Sequence, residues 1–123
     1  MTIQEIIRKH KIPVADQKLI REAFEFTQIA HAGQKRVSGE DYIVHPLHIA
    51  NFLASWGMDS TTIAAGLLHD VPENTKHTLD DIRKAFGDEI TFLVLGVTKS
   101  GRIKLRNQKE PAYIETLRRM VLA

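Results

Sequence analysis

The chain has 123 residues, of which 43% are hydrophobic and 26% are charged, an ordinary composition for a soluble globular protein. No apolar run approaches the roughly 18 residues that a membrane span requires, and there is no signal peptide. The absence of cysteine excludes disulfides and thiolate sites, so any metal must be bound through nitrogen and oxygen atoms. We therefore expect one domain over residues 1–123 and a cytoplasmic location.

The charge is unevenly distributed along the chain. Residues 1–98 carry ten Lys or Arg and thirteen Asp or Glu, whereas residues 99–123 carry seven and two. A basic segment of this kind can attract nucleic acid or phosphate groups. A solvated helix with a basic loop is the commoner explanation of such a segment, so we do not expect nucleic-acid binding.

Apolar residues recur at helical spacing along the chain, and no alternating strand pattern or internal repeat interrupts them. Residues 32–44 break the helical pattern with turn-forming residues. The sequence predicts an all-α fold of about six to seven helices. The predicted helices cover residues 3 to about 12, 14–31, 46–56, about 60–71, 79–86, 88–98 and 111–123.

Several helix ends carry recognisable signals. Pro46 suits the first position of the third helix. Gly57 ends that helix, and Asp59 or Ser60 caps the next one. Pro72 lacks the backbone N–H that a helix interior needs, so the fourth helix should end or kink close to Val71. Thr78 begins a capping box with a carboxylate at its third position.

The pair His69-Asp70 closes an apolar helix, where an imidazole and a carboxylate are costly unless they have a partner or a metal. Adjacent helical residues point about 100° apart, but both can reach an ion that lies over the helix end. His45 lies next to the start of the third helix and can supply a further ligand if the two helices pack antiparallel. His48 also has ligand-like spacing from His45, but we expect it to be a bystander. Glu73 could position or deprotonate a metal-bound water.

Two stretches of the sequence resemble a known family. Residues 67–75 (LLHDVPENT), with Val44-His45-Pro46, resemble the HD superfamily of metal-dependent phosphohydrolases. Residues 31–46 (HAGQKRVSGEDYIVHP) look more closely like the N-terminal hydrolase domain of RelA/SpoT-type alarmone proteins. The likeness continues through Phe86-Gly87, Gly96-Val97-Thr98-Lys99 and Leu117-Arg118-Arg119-Met120.

The resemblance implies an HD-domain helical bundle that hydrolyses the 3′-pyrophosphate of guanosine tetra- or pentaphosphate, (p)ppGpp, to GDP or GTP with a manganese ion. It implies that His45, His69 and Asp70 are metal ligands. Glu73 and Asn74 fall at the position of an acidic pair that activates water in this family. A guanine nucleotide is therefore the expected ligand.

The resemblance also assigns a loop to the nucleotide. Arg36 falls where a basic side chain stacks on the guanine, a role that suits a planar guanidinium. Ser38 lies in the same loop. Lys35 and Lys99 are weaker candidates for contact with the phosphates, because solvated surface lysines are common.

Three features depart from the family pattern. Asn74 replaces the usual Asp, and an amide cannot take up a proton as a carboxylate does. Val37 stands where a second polar or basic residue is often found. The family's fourth metal ligand, an Asp, comes from a segment that would follow Ala123.

These departures leave alternative functions open. Hydrolysis by this chain is expected to be weak or absent. The chain is either a fragment of a longer bifunctional (p)ppGpp synthetase/hydrolase or a non-catalytic nucleotide-binding or regulatory module. An HD phosphohydrolase acting on another nucleotide is a third alternative. An apolar groove left by missing helices favours a homodimer or a swapped assembly.

Overall fold

Helices account for nearly all of the regular structure. A computed structural model describes residues 1–97 and residue 119. The prediction of an all-α fold is confirmed for these residues, whose only extended pairing is one isolated antiparallel bridge between Lys35 and Asp41. Lys99 lies outside the described residues, and so does the predicted helix 111–123 apart from residue 119. The helices are α1 (Ile3–Lys9), α2 (Val14–Ala30), α3 (Val44–Ser55), α4 (Ser60–Leu68), α5 (Val71–Asn74), α6 (Leu79–Phe86) and α7 (Asp88–Val97).

Helix α4 forms the centre of the described fold. Every residue from Thr62 to Leu68 is buried, because α2, α3 and α7 all pack against this helix. A helix that is apolar all round can be stable only in such a position. Thr27 on α2 donates a hydrogen bond of 2.6 Å from its hydroxyl to the carbonyl of Leu67, which satisfies a buried polar group and links the two helices.

The close packing of α3 on α4 depends on a small residue. Gly66 faces α3, and a Cβ built on it would lie 2.5 Å from Cδ1 of Leu53 and 3.1 Å from Cγ2 of Ile49. Because core side chains are packed at crystal-like density, a larger residue at position 66 would have to displace the side chain of Leu53 or move the two helices apart. The approach matters for function because α3 carries His45, and α4 leads directly into His69.

The predicted caps are confirmed where the structure describes them. The Asp59 side chain accepts a hydrogen bond of 2.9 Å from the backbone N–H of Thr62 at the start of α4. Thr78 and Asp81 form a reciprocal capping box at the start of α6. Gly57 ends α3, directly after its C-cap Trp56, with φ +74°, a conformation that glycine adopts without strain.

Three predicted boundaries were wrong by a few residues, and all lie near a proline. α1 ends at Lys9, short of the predicted end near residue 12. α3 begins at Val44, so Pro46 is its third residue and not its first. The missing N–H of Pro46 still falls in the first turn, where no helical partner exists. α4 ends at Leu68, and Pro72 lies in the separate short helix α5. The pyrrolidine ring clashes with the carbonyl four residues earlier, which accounts for the break at Leu68.

In the part of the chain that the structure describes, no helix has the length and apolar character that crossing a membrane would need.

Candidate metal centre

Two helix ends bring together the three residues predicted as metal ligands. His45 lies in the first turn of α3, and His69 and Asp70 occupy the break between α4 and α5. The imidazole rings of His45 and His69 lie 5.2 Å apart, with an angle of 68° between their planes. His48 is exposed on α3 and takes no part in this cluster, as expected for a bystander.

The donor atoms of these three residues lie close enough to share one ion. They all lie within 4.8 Å of one another. The Oδ2 atom of Asp70 is 3.1 Å from Nε2 of His69 and 3.8 Å from Nε2 of His45. Ligands about 2.1 Å from a common ion are separated by about 3.0 to 3.4 Å in octahedral and tetrahedral geometry. The observed separations are therefore close to those of a metal site.

The hydrogen bond of His69 fixes which of its nitrogens can bind a metal. Nδ1 lies 2.7 Å from the carbonyl oxygen of Gly66, which can only accept, so Nδ1 carries the proton. Nε2 of the neutral ring then presents its lone pair toward Asp70. Burial lowers the pKa of His69 to about 4, and the imidazoles of His45 and His31 nearby contribute to the lowering. A neutral imidazole with one ring N–H held by a carbonyl is the usual state of a histidine ligand.

His45 is also held in the neutral form. Burial is the main cause that lowers its pKa, and the positive charge of Arg36 is the next. Metal binding requires deprotonated ligands, so neither imidazole has to lose a proton near pH 7. Two imidazole nitrogens and a carboxylate oxygen suit first-row divalent transition metals, and the residues present therefore fit such an ion.

A cleft of about 930 Å³ is linked to this cluster through Tyr42, which lines the cleft and bonds Asp70; the three cluster residues themselves are not part of its lining. One wall is the loop between α2 and α3, residues 31–43, which we call the cleft loop; the other wall includes Asn74 of α5. The cleft is lined by Gln34, Lys35, Arg36, Val37, Ser38, Glu40, Tyr42 and Asn74. Its lining therefore includes Lys35, Arg36 and Ser38, the three residues of the cleft loop for which the resemblance predicts contact with the nucleotide.

The remaining predicted site residues lie at different distances from this cleft. Lys35 is exposed and forms an ion pair of 2.6 Å with Asp41, so its charge is partly engaged within the cleft loop. Glu73 and Asn74 are both exposed on α5, and only Asn74 is among the residues that line the cleft. The backbone N–H of Asn74 donates to the carbonyl of Asp70 at 2.9 Å, which ties this short helix to the metal cluster.

Most of the chain matches a known protein family. Residues 23–123 match the HD domain family. The chain belongs to the HD domain family. The His69-Asp70 pair and His45 all fall inside the matched region, together with the whole cleft loop.

This HD domain is similar to segments of much longer curated proteins. It is 46% identical over 113 residues (92% of the chain) to a GTP pyrophosphokinase of Streptomyces coelicolor, of which it covers 13%. It is 45% identical over 104 residues (85% of the chain) to a guanosine-3′,5′-bis(diphosphate) 3′-pyrophosphohydrolase of Aquifex aeolicus, of which it covers 14%. It is 39% identical over 122 residues (99% of the chain) to the bifunctional (p)ppGpp synthase/hydrolase SpoT of Escherichia coli, of which it covers 17%.

Three further residues make contacts at the site, and the sequence did not indicate a specific role for any of them. The Tyr42 hydroxyl donates a hydrogen bond to Oδ2 of Asp70. The ring of His31 is buried and stacks on Tyr42 with centroids 4.3 Å apart. Gln34 bonds both His31 and the backbone of Asn74. Their only signal in the sequence is their place in the stretch 31–46 that carries the family resemblance.

Proposed function

We propose that this HD domain hydrolyses the 3′-pyrophosphate of (p)ppGpp, consuming one water and releasing pyrophosphate and GDP or GTP. The observation that carries the proposal is the cluster of His45, His69 and Asp70 beside a cleft whose loop presents cationic and hydroxyl side chains. The relatives of Aquifex aeolicus and Escherichia coli support this choice, since their names state this hydrolase activity. We assign this segment the hydrolase reaction and not the synthetase reaction of the bifunctional relative. A cytoplasmic location is proposed with it.

His45, His69 and Asp70 would hold the metal ion, and we propose Mn²⁺ because the site mixes imidazole and carboxylate donors. When bound, such an ion polarises a phosphoryl oxygen and lowers the pKa of a coordinated water. The protein's own contribution is to present neutral imidazoles and to hold the carboxylate through the hydroxyl of Tyr42. The Nδ1–H of His69, bonded to Gly66, keeps its Nε2 directed at the site.

The α5 helix would supply the groups that handle the attacking water. Glu73 and Asn74 fall at the position of the family's acidic pair. Of these two residues only Glu73 carries a carboxylate, so we assign it the role of general base. Asn74 lines the cleft and can orient a water or a phosphate oxygen, but its amide cannot accept the proton.

The cleft loop would hold the nucleotide. The exposed guanidinium of Arg36 is planar and can stack on the guanine base. Ser38 offers a hydroxyl that can donate to or accept from the nucleotide, and Lys35 adds positive charge near the phosphates. All three side chains line the same cleft, next to the metal cluster.

The proposal is tested by incubating the purified chain with ppGpp and Mn²⁺ and measuring the pyrophosphate released. We expect slow release, in keeping with the weak activity predicted from the sequence, and it should disappear on chelation and in the variants His45→Ala and Asp70→Asn. The matched control is His48→Ala, which removes an exposed imidazole from the same helix and should keep wild-type activity. Metal binding without any release of pyrophosphate would contradict the assignment.

A second function is favoured by a specific residue. Because Asn74 replaces a carboxylate, this chain could bind (p)ppGpp as a regulatory module without hydrolysing it. Calorimetric titration with ppGpp, in the presence and absence of Mn²⁺, distinguishes the two functions when it is combined with the release assay. The substitution Asn74→Asp should raise turnover if the amide limits catalysis, whereas a binding module should remain inactive.

A further inference from the structure

Gln34 connects the two walls of the cleft. Its side-chain Nε2 donates a hydrogen bond of 2.8 Å to the carbonyl of Asn74, and its Oε1 lies 2.9 Å from Nδ1 of His31. The carbonyl of Asn74 can only accept, which fixes the orientation of the Gln34 amide. Oε1 must then accept from Nδ1–H of His31. Both ends of the amide are therefore used, one on α5 and one on a buried residue of the cleft loop.

The backbone of Gln34 is fixed as well. Its N–H donates to the carbonyl of His31 at 3.0 Å, and its carbonyl accepts from the N–H of Tyr42 at 3.0 Å. Tyr42 in turn stacks on His31 and donates its hydroxyl to Asp70. Hydrogen bonds therefore hold the backbone of Gln34 to His31 and to Tyr42, which in turn bonds Asp70. The side chain of Gln34 extends from there to α5.

Helix α5 is anchored in the core through one of its residues. It is four residues long, and only Val71 among them is buried. A single helical turn is marginal by itself, because one or two hydrogen bonds cannot offset the cost of fixing its backbone. The hydrogen bond that Gln34 donates to the carbonyl of Asn74, the last residue of α5, therefore restricts where this residue lies relative to the cleft loop.

We propose that Gln34 is a positioning residue, whose amide holds α5 at a fixed distance from the cleft loop. The inference rests on the proposed function, because it assigns Gln34 to the alignment of the water-activating residues with the bound nucleotide. Gln34 acts through Asn74 and does not itself take part in proton transfer. The reaction loses rate when this alignment is lost, since small displacements of reacting groups reduce turnover steeply.

Two substitutions separate the two ends of the amide. Gln34→Glu keeps an oxygen for His31 but replaces the donor that faces the carbonyl of Asn74, so this contact becomes repulsive. Gln34→Ala removes both contacts. Gln28→Glu is the matched control, because it makes the same change of charge at an exposed position on α2. We expect kcat for ppGpp to fall about 10- to 100-fold in both Gln34 variants, as for other supporting hydrogen bonds. KM and Mn²⁺ affinity should stay within about twofold.

A second measurement does not depend on activity. The N–H groups of Asn74 and Thr75 close the α5 turn by donating to Asp70 and Val71. Their hydrogen exchange should accelerate about tenfold or more in both Gln34 variants and remain unchanged in Gln28→Glu. If the wild type releases no pyrophosphate, the proposed function fails while the exchange data still decide whether Gln34 holds α5. Unchanged exchange, or a loss of Mn²⁺ affinity in step with kcat, would overturn the inference.

Discussion

Acid should destabilise the metal-free protein mainly through His69. This side chain is only 2% exposed, and burial lowers its pKa from 6.5 to about 4. In the unfolded chain the imidazole is hydrated and takes up a proton near pH 6.5. Between these two values the unfolded state binds more protons than the folded state, so the free energy of unfolding must decrease as the pH falls from 6.5 toward 4.

The size of the effect follows from the two pKa values. The complete difference between 6.5 and about 4 corresponds to about 3 kcal/mol. At pH 5 the unfolded histidine is almost fully protonated and the folded one is largely neutral, so about 2 kcal/mol of this should already be lost. The loss should end near pH 4, where the folded imidazole itself takes up the proton. Because small domains are stable by only about 5–15 kcal/mol, a decrease of this size is readily measured.

Urea unfolding of the chelated protein at pH 7 and pH 5 measures this decrease. The variant His69→Asn is the control, because its amide nitrogen can still donate to the carbonyl of Gly66 but cannot be protonated. His31 and His45, whose pKa values are also lowered by burial, remain in both proteins and cancel in the comparison. The wild type should lose about 2 kcal/mol more than the variant. Equal losses in the two proteins would refute the assignment of the pH dependence to His69.

Three further substitutions probe individual contacts. Tyr42→Phe removes the hydroxyl bonded to Asp70 and should weaken Mn²⁺ binding about tenfold in a calorimetric titration; unchanged affinity would show that the carboxylate does not need this support. Gly66→Ala places a Cβ 2.5 Å from Cδ1 of Leu53. It should reduce the free energy of unfolding, measured in urea, by about 1–3 kcal/mol. No change in this free energy would mean that α3 or its side chains move to make room for the methyl group. Thr78→Ala removes the capping box of α6 and should cost about 1 kcal/mol in the same assay, while Thr78→Ser should cost little.

The helices could be predicted because their signals are local, whereas the grouping of His45, His69 and Asp70 was predicted mainly from the family resemblance. The apolar spacing located the helices, and Asp59 and Thr78 marked two helix starts through short-range hydrogen bonds. The pair His69-Asp70 stood out because a charged residue at the end of an apolar helix needs a partner. The helix boundaries near Pro46 and Pro72 were less accurate, since a proline is compatible with several positions in a first turn.

The supporting residues could not be predicted because their contacts depend on the path of the cleft loop. Tyr42 reaches Asp70 across 28 positions of sequence, and Gln34 reaches Asn74 across 40. Neither residue type indicates a metal ligand or a catalytic group, so only the folded loop reveals its role. The unequal placement of the α5 pair, with Asn74 lining the cleft and Glu73 outside its lining, also depends on the exact end of α4.

The central helix supports both the core and the candidate site through the way it ends. Where α4 stops at Leu68, the backbone N–H of His69 donates to the carbonyl of Gly66 at 3.5 Å. The side chain of His69 donates to that carbonyl, and the same bond leaves Nε2 as the free acceptor facing Asp70. At the end of α4, both the backbone and the ring of His69 therefore bond the carbonyl of Gly66, and the ring bond selects the tautomer that a metal ligand would need. The substitution Pro72→Ala, which would let the helix continue, should lower the affinity for Mn²⁺ in a calorimetric titration more than it lowers the free energy of unfolding.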